Sequence, residues 1–123
     1  MSARAANAYR RVDLDSAPKQ DVVGRLFERF LADLTAAKTP IGARDIAGKA
    51  KAIDHALRIV FELEASLDHD ASPELCANLQ ALYRFVAERI YHANVKLDIK
   101  ALDEASKIMS ELAGGFRQVQ GPR

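Results

Sequence analysis

The stretch NLQALYRFVAERIYHANVKLD, residues 78–98, decides the fold. It contains neither glycine nor proline, and its surroundings extend it upstream to Ser72-Pro73, a start signal with Ser as N-cap and Pro at the first helical position. At about 100° per residue, Leu75, Leu79, Leu82, Val86, Ile90, Ala93 and Leu97 form one stripe, so a helix with a core-facing side is expected. Tyr83 flanks the stripe, close enough to be buried with it. Phe85 lies about 100° away, and Tyr91 and Val95 stack at i and i+4 nearly opposite. One core leaves this second apolar surface uncovered.

The preceding helix repeats the pattern. It is expected from about Asp45 to Leu67, where DHDASP breaks the periodicity. Ile46, Ala50, Ile53, Leu57, Val60 and Leu67 make a first stripe, and Ala52, Ala56, Ile59 and Leu63 a second about 100° away. Small Ala52 and Ala56 beside larger Ile59 and Leu63 suit a groove for another helix.

Two further helices follow from the same rules. Ser16 and Pro18 mark the start of one that carries Val23, Leu26, Phe27, Phe30, Leu34 and Ala37, with Gly24 weakening it by about 1 kcal/mol relative to Ala. The segment KTPIG, residues 38–42, reads as its connection to the next. Asp98 is placed to cap the last helix, which carries Leu102, Ala105, Met109 and Leu112 and is expected to stop at Gly114-Gly115. No alternating β-branched run suggests a strand. The expected fold is all-α: an antiparallel up-down four-helix bundle over residues 16–116, with a flexible N-terminal arm at 1–15 and a disordered tail at 117–123.

Composition narrows the function. A chain of 123 residues is one domain by the usual prior, and 18 Lys and Arg interspersed among 17 Asp and Glu offer no field for nucleic acid or an anionic membrane. Basic pairs such as Arg10-Arg11 lack interleaved aromatics. The single Cys76 rules out an intramolecular disulfide and suits a reducing compartment. No secretory apolar run and no stretch of about 18 apolar residues is present, so no membrane insertion and a cytoplasmic location are expected.

Catalytic patterns are absent. His55, His69 and His92 belong to no metal-ligand motif, and Glu88 with His92 reads as a solvated pair. Asp68, His69 and Asp70 sit in a polar turn with no apolar wall to shift a pKa. Phosphate-binding glycine motifs are missing too. The expectation is a protein that is not an enzyme and needs no cofactor or metal.

The order of the residues resembles the FliS-type flagellin export chaperones. Asn78-Leu79, Leu82-Tyr83, Phe85, Ile90, Ala93-Asn94 and Asp98 are similar to that family's NLxxLYxY…L…AN…D helix. KAKAIDHALRIVFELEASLD is similar to its segment of Ala-Ile and Ile-Ile pairs followed by Glu-Leu and Ser-Leu-Asp, and Tyr9, Ser16-Ala17, Val22-Val23 and Leu26-Phe27 to its N-terminal part. Phe116, after a glycine pair, stands where the family has Trp.

The resemblance implies a cytoplasmic chaperone that binds the disordered C-terminal segment of flagellin, prevents premature polymerisation and hands it to the type III export gate. The candidate partner-binding residues are then Ala52, Ala56, Ile59, Leu63, Phe85, Tyr91 and Val95. Tyr9, Val12 and Leu14 make the arm apolar enough to cover that groove in the free protein. The competing reading is a self-associating bundle, a homodimer built on the same stripes, that acts as a structural or adaptor protein without a flagellin client.

Overall fold

The computed structural model describes residues 17–120, with side chains described from 22 to 116. The arm and Ser16 lie outside the described residues. Four helices follow in order: α1 (Ala17–Gly42), α2 (Ile46–Ala65), α3 (Pro73–Lys96) and α4 (Ile99–Gln120). They form an all-α four-helix bundle in which α1 packs on α2, α2 on α3, α3 on α4, and α4 back on α1.

Cross-helix contacts show that neighbours are antiparallel. Between α1 and α4, Phe27 meets Phe116, with ring centroids 5.8 Å apart and planes tilted by 44°, while Lys38 pairs with Asp103 at 2.6 Å. Between α2 and α3, Glu64 accepts from Gln80 Nε2 at 3.0 Å and Arg84 Nε at 3.3 Å, and Lys49 reaches Asn94. In each pair of helices, residue numbers rise along one as they fall along the other.

Local chemistry explains the ends. Asp45 caps α2 by accepting from the Gly48 N–H at 3.1 Å. A Cβ at Gly48 would meet that carboxylate, so a larger residue there would make the Asp45 side chain shift. Pro73 opens α3, but the Ser72 hydroxyl makes no capping bond, contrary to the expected cap. Asp68 Oδ1 instead organises the preceding turn by accepting from the N–H groups of Asp70 and Ala71. At the end of α3, Leu97 adopts φ 54° and ψ 44°, and the Asp98 N–H returns to the Ala93 carbonyl at 3.2 Å. This left-handed stop favours glycine, and Leu there costs about 1–2 kcal/mol. The Leu97 side chain packs against the core, which offsets part of that cost. Asp98 then caps α4, accepting from the Lys100 N–H at 3.0 Å.

Two helices run further than their breakers suggest. α1 passes through Pro40 to Gly42 because Ile41, one turn beyond Ala37, is buried with the core. Pro40 removes one backbone bond and crowds the carbonyl one turn earlier, a cost that the burial of Ile41 helps offset. α4 passes Gly114-Gly115 and continues to Gln120, which brings Phe116 into register behind Met109, Leu112 and Ala113.

The core is centred differently from the expected stripes. Tyr83 is fully buried, whereas Leu82, expected in the core stripe, faces outward at 38% exposure. In α2 the buried apolar residues are Ile53, Ala56, Ile59, Val60 and Leu63, while Ile46 is 62% exposed. A helix between two neighbours turns the middle of its apolar arc inward, and the middle here lies between the two stripes.

Candidate partner-binding surface

The seven candidate binding residues are divided between the core and two outer surfaces. Ala56 and Leu63 are wholly buried and present nothing to a partner in this conformation. Ile59 is nearly buried and Ala52 half-buried, and both line an open trough along the α1–α2 seam. Phe85, Tyr91 and Val95 stand exposed on α3. The arm residues Tyr9, Val12 and Leu14 lie outside the described residues.

The trough consists of two adjoining concavities of about 670 and 550 Å³ that share Arg29 and His55. Val22, Leu26 and Ile59 line the first, with Arg25, Glu28 and Glu62 around them. Ala36, Gly48 and Ala52 line the second, with Lys51, Asp54 and Arg58 around them. His55 Nδ1 contacts Asp33 Oδ2 across the seam, so a polar tie joins the helices where the two concavities meet.

The outer face of α3 is apolar for a different reason. Tyr91 and Val95 are 65% and 55% exposed and stack one turn apart. Phe61 of α2, 57% exposed, was not singled out by the sequence because it falls outside both stripes. It lies one turn from Glu64, and Tyr91 two turns from Arg84, in the same direction away from the Glu64–Arg84 pair. The α2–α3 side thus carries large apolar groups from both helices. On the opposite flank of α3, Leu82 and Phe85 lie beside the α4 seam marked by Arg89 and Glu104, 3.6 Å apart.

The polar groups serve structure. Lys49, 8% exposed, donates from Nζ to the Asn94 carbonyl at 2.6 Å and so satisfies one of the last acceptors of α3. His92 faces Asp98 at 3.4 Å, beside the α3–α4 connection, rather than joining Glu88 in an ion site. Cys76 is buried with its Sγ donating to the Asp68 carbonyl at 3.3 Å. Burial, helped by the nearby Asp68 charge, pushes its thiol above the ordinary range. Among the described residues no helix is long and apolar enough to cross a membrane.

The family model described as flagellar protein FliS matches residues 1–123. The chain is 29% identical to the flagellar secretion chaperone FliS of Escherichia coli (strain K12) over 122 residues, covering 95% of this chain and 90% of that protein. It is 28% identical to the flagellar secretion chaperone FliS of Salmonella typhimurium, covering 96% and 91%. Against the flagellar secretion chaperone FliSB of Pseudomonas aeruginosa the identity is 27%, covering 92% and 93%.

Proposed function

The chain belongs to the flagellar protein FliS family, and on that premise we propose that it is a cytoplasmic export chaperone, without catalytic activity, for the C-terminal segment of flagellin. In this reading the segment arrives disordered, folds into helices against the chaperone, is kept from polymerising early, and is passed to the type III export gate. Ordering a disordered segment costs free energy that its buried apolar face must offset.

The observation that carries the reading is the exposure of Tyr91 and Val95, on the same α2–α3 side as Phe61, over a buried core. Large apolar groups left more than half exposed are suited to a partner. Phe85, with Ala52 and Ile59 in the trough, extends the surface on which a long segment can wrap. The arm would cover part of it in the free protein, and an arm closed about 90% of the time raises the apparent dissociation constant about tenfold.

Calorimetric titration with flagellin, carrying or lacking its C-terminal segment, tests the proposal. Binding that requires the segment and shows a negative heat-capacity change is expected. No heat and no mobility shift at micromolar concentration would remove flagellin as the client. A concentration-dependent dimer mass in the same samples would transfer the apolar surface to self-association. Deleting residues 1–15 is expected to tighten binding while helix content is retained.

A further inference from the structure

α4 reaches its last described side chain, Phe116, across two consecutive glycines, Gly114 and Gly115. Glycine ranks below every residue but proline as a helix former, so the helix is weakest just before its end. What draws it past the glycines is the burial of Phe116 against Phe27 of α1. Of the four residues that complete α4, Arg117, Gln118, Val119 and Gln120, only Val119 is apolar by sequence. The Phe116 ring also borders a void of about 20 Å³ that it shares with Gly24, Phe27, Glu28 and Ala113, so it lacks neighbouring atoms on one side.

The stretch of α1 beside this void has two faces in use. Gly24, Phe27 and Glu28 meet the end of α4. Val22, Arg25, Leu26 and Arg29 line the trough that α1 shares with Ile59 and Glu62 of α2, and Glu28 borders both. We propose that the end of α4 beyond Gly114 is a latch on the α1 wall of the trough. Closed, Phe116 holds residues 22–29 against the bundle. Open, α4 unwinds at the glycine pair, Phe116 leaves Phe27, and the α1 stretch loosens with it, as one local unit made of two segments distant in sequence. The inference goes beyond the chaperone reading, because it concerns how firmly the wall is held whatever occupies the trough.

Amide hydrogen exchange of the full chain, read residue by residue by NMR, tests the proposal. In wild type the amides of residues 22–29 and those following Gly114 are expected to open with similar free energies, and well before those of α2 and α3. Gly114→Ala, whose Cβ meets nothing within 4 Å, should slow exchange in both segments by about twofold to fivefold, the effect of one such replacement within a helix. Phe116→Ala should speed both segments in step, and by more than it speeds the amides of α2 and α3, which register the loss of overall stability. Unchanged exchange at residues 22–29 in Gly114→Ala overturns the proposal, because α1 then frays by itself. Exchange of both segments as slow as that of the α2–α3 core overturns it too, because they then open only with the whole bundle.

Discussion

The ammonium of Lys49, in the second turn of α2, is held 2.6 Å from the backbone carbonyl of Asn94, near the end of α3. A cation at the carbonyl end of a helix also meets the negative end of its dipole. Because the acceptor is backbone, the identity of residue 94 does not matter to this bond. Lys49→Met keeps the aliphatic stem and loses the donor, so it should cost about 1.5–3 kcal/mol in urea unfolding. Asn94→Ala should leave the bond in place and cost far less. Equal losses in the two variants would assign the effect to packing.

Gly24 and Gly114 sit inside helices, and a Cβ added at either meets nothing within 4 Å. Gly24→Ala and Gly114→Ala should each stabilise the bundle by about 0.5–1 kcal/mol, and the effects should add. Thermal melting checks this, with about 4 °C expected per kcal/mol for a domain of this size. A fall in midpoint for either variant would contradict the open space.

The buried Cys76 should react with a thiol reagent only as fast as the bundle opens. Its raised folded-state pKa has a fixed sign for stability. The contribution is full below the unfolded thiol's value of about 8.5 and is lost as pH rises through the higher folded value. Labelling rates with and without urea, and melts across the alkaline range in Cys76 and Cys76→Ala proteins, provide the check. Rapid labelling of the native chain would refute the burial.

Leu63 and Tyr91 should respond in opposite ways. Leu63→Ala removes buried volume and should cost about 2–5 kcal/mol of stability. Tyr91→Asp changes a side chain that is mostly in solvent, so its melt should stay within about 0.5 kcal/mol of wild type, while flagellin binding should weaken more than tenfold, or about 1.4 kcal/mol. Urea melts paired with calorimetry measure both. Loss of cooperative melting in Tyr91→Asp would place that residue in the fold rather than on a binding face.

The bundle was legible because its helices are long and periodic and because Asp98 makes the cap its position predicts. The helix ends at Pro40 and Gly114 were not. A breaker's local cost of about 1–3 kcal/mol is visible in sequence, but the burial of Ile41 and Phe116 that offsets it appears only once the helices pack. The surface was legible in half. Tyr91 and Val95 lie opposite the α3 core stripe and did emerge exposed, whereas the two α2 stripes were too close in angle to tell floor from core. Phe61 belonged to neither stripe, so its exposure needed the packing of α2 against its neighbours.

The Phe27–Phe116 contact carries a kinetic consequence. Three of the four helix seams join segments adjacent in the chain and can form as local hairpins, whereas the α1–α4 seam needs the chain to close a loop spanning almost the whole fold. Local contacts make helical bundles fast folders, within microseconds to milliseconds, so the entropy of that closure falls on the one seam the Phe pair occupies. If the seam is completed after the folding barrier, truncating either ring mainly speeds unfolding and leaves the folding rate nearly unchanged. The lifetime of the closed bundle is then set where its first and last helices meet.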